Sequence, residues 1–198
     1  MSHKSNYRDG DSFTKQAKKE GYRSRAAYKL KEILEKELKL KRSSSVIDLG
    51  SFPGGWTQVL KELLGNKAKI TAIDCQPMKE IEGCFFLQKS IDDLQEKDFE
   101  EIKEFLPFDL VLSDMAPNIS GIKSADQAGI IYLNELALQF AVDWLKPKGN
   151  FLVKSFIGAE FDDYVREVKK YFETVYTFKP KSSRNRSSEI FVYGKSKI

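Results

Sequence analysis

Histidine and cysteine are almost missing from this chain, and their scarcity removes much familiar catalytic chemistry at once. The one histidine is His3, and the two cysteines are Cys75 and Cys84. A Ser-His-Asp or Cys-His site cannot be assembled from these, and neither can a metal-ligand spacing, so no metal is expected. Two cysteines make no disulfide framework and read as reduced packing residues of an intracellular protein. A run of 18 apolar residues is lacking too, which excludes a membrane-spanning helix. The first 25 residues hold no apolar stretch of the kind a secretory signal needs, and Asp9, Asp11 and Glu20 there are out of keeping with an organelle transit peptide. The expected location is inside the cell, with cytoplasm, nucleolus and mitochondrion all open. The expected state is a monomer. Any catalysis must rest on Lys, Asp, Glu or backbone groups.

What the chain does contain is enough apolar material for one sizeable core, 41% of 198 residues, under a polar surface supplied by 31% charged residues. Its net charge of +4 is unevenly spread. Residues 1–31 carry nine Lys/Arg against three acids, and residues 179–198 carry six against Glu189 alone, which leaves −7 for residues 32–178. Basic ends around an acidic body suggest a polyanion footprint, although solvated tails would give the same count. The chain divides into a basic N-terminal extension, residues 1–21, and a single domain, residues 22–198.

The apolar pattern alternates. Helical spacing covers Ser24–Leu40, with Ala26, Ala27, Leu30, Ile33, Leu34 and Leu38 on one face, then Trp56–Leu64, residues 96–106, Gln127–Leu145 and Phe161–Phe172. Short apolar runs between them, "SVIDLG", "KITAID", "CFFLQ", "FDLVLSD" and "NFLVKSF", read as buried strands, followed by "TVYTFKP" and "EIFVYG". Strand and helix in alternation predict an α/β fold with a mostly parallel sheet. The last two strands are joined by about ten residues with no helix, too few for a parallel crossover. The prediction is a seven-stranded sheet whose last strand is antiparallel, with helices on both faces.

The first strand ends in "DLGSFPGGW", where Gly50, Gly54 and Gly55, around Pro53, let the backbone turn sharply and approach a ligand. In open α/β sheets ligands sit at the carboxyl ends of the strands. The glycine spacing fits neither the dinucleotide fingerprint nor a P-loop, which disfavours a pyrophosphate. Asp48 would also repel phosphate but suits an ammonium group. Asp74, at the end of the second strand, can accept both hydroxyls of a ribose. A ribose, an amine and no phosphate together describe S-adenosylmethionine. Trp56 follows the glycines directly and is either core or a cofactor contact.

Two opposite charges then end adjacent strands: Asp114 in "FDLVLSDMAPNISG" and Lys154 in "FLVKSF". A lysine after a buried apolar run is costly unless paired. Glu189 opens the last strand, and the reversal of that strand brings its start to the same sheet edge. Lys29, in "SRAAYKL", lies off the apolar face and would pass for a surface lysine.

Taken in order, "SRAAYKL", "DLGSFPGGW", "DMAPNISG", "FLVKSF" with the following "FDDY", and "KPKSSRNRSSE" resemble the RrmJ/FtsJ family of ribose 2′-O-methyltransferases, over about Tyr22 to Gly194. The resemblance implies a Rossmann-like, class I S-adenosylmethionine-dependent methyltransferase fold. It places a Lys-Asp-Lys-Glu catalytic tetrad on Lys29, Asp114, Lys154 and Glu189, and cofactor contacts on Gly54, Trp56, Asp74 and Asp114. The chain departs from the family pattern after the third strand, where the family has an acid near the adenine amino group. Here the text is "LQKSIDD", so either Ser90 and the Ile91 backbone take that place or Asp92 reaches in.

The resemblance further implies that Lys154 acts as general base on a ribose 2′-hydroxyl, which requires a neutral amine. The implied substrate is ribosomal RNA or the large ribosomal subunit, with a uridine of the large-subunit RNA as the expected acceptor. The basic ends would neutralise phosphates, giving an affinity that falls with added salt. Tyr22 and Tyr28, interleaved with Arg23 and Arg25, would either stack on an unpaired base or pack on the domain. Methylation of a tRNA anticodon loop or an mRNA cap, and a non-catalytic RNA-binding role in ribosome assembly, are the alternatives. A nicotinamide-dependent oxidoreductase is disfavoured by the glycine spacing.

Overall fold

Seven short strands line up side by side in the computed structural model, which describes residues 5–37, 40–183 and 187–198. In chain order the elements are α1 (Ser5–Lys19), α2 (Ala26–Glu37), β1 (Ser45–Leu49), α3 (Gly55–Leu64), β2 (Lys69–Asp74), β3 (Phe85–Gln88), α4 (Glu96–Ile102), β4 (Phe108–Ser113), α5 (Lys123–Trp144), β5 (Leu145–Phe156), α6 (Phe161–Val168), β6 (Phe172–Phe178) and β7 (Glu189–Lys197). His3, Lys4, Leu38 of the predicted helix face, and Arg184 and Arg186 of the basic loop lie outside the described residues.

The sheet order is β3-β2-β1-β4-β5-β7-β6. Pairings within β3-β2-β1-β4-β5 are parallel. β7 runs antiparallel to both β5 and β6. The predicted reversal of the last strand is therefore present, and β7 inserts between β5 and β6. β1 and β4 are central and buried on both faces, which is why they read as continuous Val, Ile and Leu runs.

Alternation along the strands feeds two cores. Ile47, Leu49, Val111 and Val153 join Ala137, Leu138 and Tyr164 of α5 and α6 on one face. Val46, Leu110, Leu112, Leu152 and Phe191 join Leu30, Ile33, Val59 and Leu60 of α2 and α3 on the other. Helices thus cover both faces. Each fully buried aliphatic side chain in these layers contributes about 1.5–3 kcal/mol relative to exposure.

Several boundaries differ from the periodicity. α6 stops at Val168, and Phe172 opens β6 instead of closing the helix. β5 begins at Leu145, five residues before the predicted strand, and meets β4 through a register shift between Phe108 and Leu110. No clear periodicity marks residues 5–19, yet they form α1. Ala17 is buried there, and the Phe13 ring sits 5.7 Å from that of Tyr28 on α2.

Candidate active site

Parallel pairing lays the ends of β1, β2 and β4 along one edge, and the loops after them enclose a cavity of about 250 Å³. Its lining includes Gly50, Asp74, Ser90, Ile91, Asp114 and Met115. The loop after β1 is folded by its own backbone. The Gly50 and Ser51 N–H groups both donate to the Ile73 carbonyl, at 2.9 and 3.1 Å, and Gly54 N–H donates to Ser51 O at 2.6 Å. Gly50 has φ 74°, and a Cβ there would stand 2.8 Å from the Met115 Cα. Only glycine allows the two loops to approach this closely. Gly54 has φ 109° and supports Arg23, whose Nη1 would lie 2.7 Å from an added Cβ. The Arg23 guanidinium in turn holds the carbonyls of Pro53, Lys79 and Glu80 at 3.3, 2.7 and 2.9 Å. Gly55 gives Ser24 its space.

Three carboxylates set the charge of this edge. Asp74 accepts from the N–H groups of Phe52 at 2.8 Å and Gln76 at 2.7 Å, one on each oxygen. This fixes the carboxylate plane and leaves further lone pairs for hydroxyl donors. Asp48 is fully buried behind the loop, and its Oδ2 accepts from Thr57 Oγ1 at 2.7 Å. Its Oδ1 has no partner among the protein groups. Burial pushes the Asp48 carboxyl up to about 7, against the Thr57 hydrogen bond, and the charges of Asp114 and Asp74 push it further the same way. Asp48 therefore feels the charges of both Asp74 and Asp114. Such a site repels phosphate and favours a cation.

The adenine-side residues separate. Ser90 and Ile91 line the cavity, whereas Asp92 is exposed and does not. Trp56 is also away from the lining. Its ring packs 5.8 Å from that of Phe191, and its indole N–H donates to Ala26 O at 2.9 Å. Its side chain joins α2 to α3, leaving only its main chain for a ligand. Cys75, Gln76, Lys89 and Leu133 line the cavity as well. No motif in the sequence marks them.

The four tetrad residues converge as two ion pairs. Lys154 Nζ lies 2.8 Å from Asp114 Oδ1 and donates to the Asp114 carbonyl at 2.7 Å. Lys29 Nζ lies 2.6 Å from Glu189 Oε2 across 160 positions of sequence. Register explains how the pairs meet. β5 and β7 place Lys154 opposite Phe191 and Phe156 opposite Glu189, so Lys154 and Glu189 are diagonal neighbours on one face of the sheet. Phe191 packs in the core beneath α2, so this is also the face that the first turn of α2 covers. Lys29 is buried there, although sequence alone would leave it on the surface. Ser183 Oγ donates to Glu189 Oε1 at 2.8 Å, a partner that the sequence did not single out. Burial pushes the Glu189 carboxyl up, but the charge and hydrogen bond of Lys29, with Ser183 and the Lys154 charge, hold it below its ordinary value.

Tyr22 and Tyr28 pack on the domain. Tyr22 donates to Glu62, and Tyr28 donates to Glu20 at 2.9 Å. Their rings meet edge to face at 5.8 Å. The basic loop before β7 is tied back by Lys179 Nζ to Ser187 O and by Lys181 N–H to Glu32, each at 2.9 Å.

The profile of the FtsJ-like methyltransferase family matches residues 22–197. The chain is 47% identical over 188 residues to "Ribosomal RNA large subunit methyltransferase E" of Methylobacillus flagellatus, covering 93% of this chain and 89% of that protein. It is 48% identical over 188 residues to the protein of the same name in Marinobacter nauticus, covering 93% and 90%. A solved structure described as a ribosomal RNA methyltransferase from Plasmodium falciparum superimposes with a TM-score of 0.79 at 34% identity, over 89% of this chain and 98% of that one.

Proposed function

Starting from the fact that the chain belongs to the FtsJ-like methyltransferase family, we propose that the two ion pairs form one catalytic centre, with Lys154 as the group that takes a proton from a ribose 2′-hydroxyl. The protein is an S-adenosylmethionine-dependent RNA methyltransferase, and its substrate is the ribosomal RNA for which its relatives at 45–48% identity are named. These names do not favour a tRNA, an mRNA cap or a purely structural role.

One observation supports this reading above the others. Asp114 lines the cavity and also holds Lys154, so the ligand site and the base share a side chain. The donor set fits S-adenosylmethionine. The partnerless Asp48 oxygen belongs to a carboxyl that feels the charges of Asp114 and Asp74, an arrangement that a cation relieves. Asp74 would hold the ribose hydroxyls. Ser90 and the Ile91 backbone would take the adenine edge, with Asp92 outside. Gly50, Pro53, Gly54, Gly55 and the Trp56 main chain would shape the wall. The cofactor supplies a methyl group already activated on a sulfonium. The protein's own task is alignment and proton removal. Lys154 in its neutral form accepts the 2′-hydroxyl proton. Asp114, through two contacts, aims the amine. Lys29 and Glu189 fix the charge beside it.

The finer assignments are a uridine of the large-subunit RNA as acceptor, a monomeric enzyme, and a catalytic domain of residues 22–198 preceded by a basic extension of residues 1–21. Among the described residues no helix is long and apolar enough to cross a membrane. The curated relatives are bacterial, which favours cytoplasm over nucleolus or mitochondrion. The test is to supply labelled S-adenosylmethionine with ribosomal subunits, free ribosomal RNA and tRNA separately, and to map the modified ribose. Label on a 2′-oxygen of large-subunit RNA is expected. Label on tRNA alone, or none with cofactor bound, overturns the reading.

A further inference from the structure

Counted by charge, Arg23 belongs to the basic N-terminal set that the sequence offers to RNA phosphates. Its side chain is engaged elsewhere. The half-buried guanidinium donates to three carbonyls, from Nη1 to Pro53 O at 3.3 Å and Lys79 O at 2.7 Å, and from Nη2 to Glu80 O at 2.9 Å. The main chain beneath it is fixed as well. Arg23 N–H donates to Gln58 Oε1 at 2.8 Å, and Gln58 Nε2 donates to Gly21 O at 3.0 Å, so α3 brackets the turn between α1 and α2. Gly54, lacking a Cβ, leaves the space through which the side chain passes.

The three carbonyls belong to two different loops. Pro53 is in the loop after β1. Lys79 and Glu80 are in the loop after β2, a stretch with no helix or strand to satisfy its own carbonyls. Both loops wall the cavity, through Gly50 and Phe52 on one side and Cys75 and Gln76 on the other. A second tie joins the same loops from within, because Asp74 accepts from Phe52 N–H on one oxygen and from Gln76 N–H on the other. Phe52 is one residue from Pro53, and Gln76 is three from Lys79. The carboxylate is thus strung between two segments whose separation Arg23 sets from outside. A planar guanidinium can serve several acceptors at fixed angles, which an ammonium on a flexible stem cannot. Hydrogen bonds from a charged donor are also the stronger kind.

We propose that Arg23 is a positioning residue for the methyl donor, which holds the loops after β1 and β2 at the separation that presents Asp74 to the donor's ribose. The inference rests on the S-adenosylmethionine reading above, in which Asp74 receives the ribose hydroxyls. It moves one cation of the basic end from the nucleic acid to the cofactor. Arg23→Lys separates the two roles. It keeps the charge that a phosphate contact needs and loses the fork that the carbonyls need.

The experiment measures, on wild type and Arg23→Lys, calorimetric affinity for S-adenosylhomocysteine and for its 3′-deoxyribose analogue, affinity for ribosomal RNA by filter binding, and steady-state methyl transfer to ribosomal subunits. Arg23→Lys is expected to raise the Kd for S-adenosylhomocysteine and the KM for S-adenosylmethionine about tenfold, with kcat at saturating donor and RNA affinity within about twofold of wild type. The deoxy analogue carries the sharper signature. Removing the hydroxyl should cost wild type about tenfold in affinity and the variant about twofold, because its Asp74 is no longer aimed. An equal deoxy penalty in both proteins, cofactor affinity unchanged from wild type, or a loss of RNA affinity alone overturns the proposal. Should Arg23→Lys not fold, Gln58→Leu decides the matter, since it removes the bracket under Arg23 from a residue outside the cavity lining. Its cofactor affinity should fall about threefold at unchanged RNA affinity, and wild-type cofactor affinity overturns the proposal. If wild type binds neither S-adenosylmethionine nor S-adenosylhomocysteine, the functional reading itself fails. If wild type binds them and the variants match it, only the assignment of Arg23 fails.

Discussion

The two lysine–carboxylate pairs of the centre are similar in chemistry, with equally buried lysines, and differ in how their carboxylates are set. Lys29 and Glu189 are closed in, with side chains 9% and 11% exposed, and Glu189 has a further donor in Ser183. Asp114 of the other pair is 22% exposed and faces the cavity, while Lys154 has both of its described contacts on that one residue. The closed pair resembles a structural brace that also carries charge. The open pair can be reached by a ligand from one side. A buried pair adds little net stability, but losing one member strands the other, so the closed pair should fail by unfolding and the open pair by losing rate.

The largest effect should come from the open pair. Lys154→Ala is expected to lower single-turnover methyl transfer by about 10²–10⁴, the range for a positioned general base, with cofactor affinity kept. A wild-type rate in that variant would remove the distinction altogether. Next, Lys29→Ala should cost about 3 kcal/mol in urea unfolding, because Glu189 is left buried with its main counter-charge gone. Lys154→Ala should cost no more than about 1 kcal/mol, since Asp114 can turn to water. Equal losses would show that the two settings do not matter.

Acidity sharpens the comparison further. Asp48 has a carboxyl raised to about 7. Its folded form therefore holds a proton that the unfolded chain has released, and stability should fall as pH rises from about 4 to about 7. Asp48→Asn should flatten that slope in thermal melts. In wild type, cofactor affinity should weaken below about pH 7, by at most about tenfold per pH unit, as the carboxylate takes up its proton. The smallest effect has the opposite sign. Glu189 is held below its ordinary value, so its contribution is full above the usual carboxylate pKa of about 4.3 and disappears as pH falls through the folded value. Glu189→Gln should remove that acid limb, on top of the loss at neutral pH from stranding Lys29, and an unchanged acid midpoint would count against the closed pair as a brace.

Much of this arrangement is legible in the sequence, and the parts that are not share a cause. β1, β4 and the core of β5 announce themselves as apolar runs, and Asp48, Asp74, Asp114 and Lys154 follow because chain order delivers each to a strand end. Lys29 reaches the centre only through the packing of α2 on β7, and no local pattern encodes that. On the residues alone it was a surface lysine, and family resemblance placed it. The Ser183–Glu189 hydrogen bond is likewise an accident of packing that no local pattern encodes. Trp56 shows the reverse. Its position after the glycines pointed to a ligand, but its bulk is used to fill the space between α2 and Phe191. The early stop of α6 was hidden because Tyr171 and Phe172 continue a helical apolar rhythm, while Tyr171 belongs to the turn and Phe172 to β6.

The 160-residue gap between Lys29 and Glu189 has a consequence for how the protein is made. The first member of the closed pair is near the start of the chain, and the second arrives with the last strand, wedged between two strands synthesised earlier. A nascent polypeptide can wind its first helices and close the loop after β1 long before then. It cannot complete the reaction centre until β7 has been made, so products cut short of that strand are inert by design of the topology.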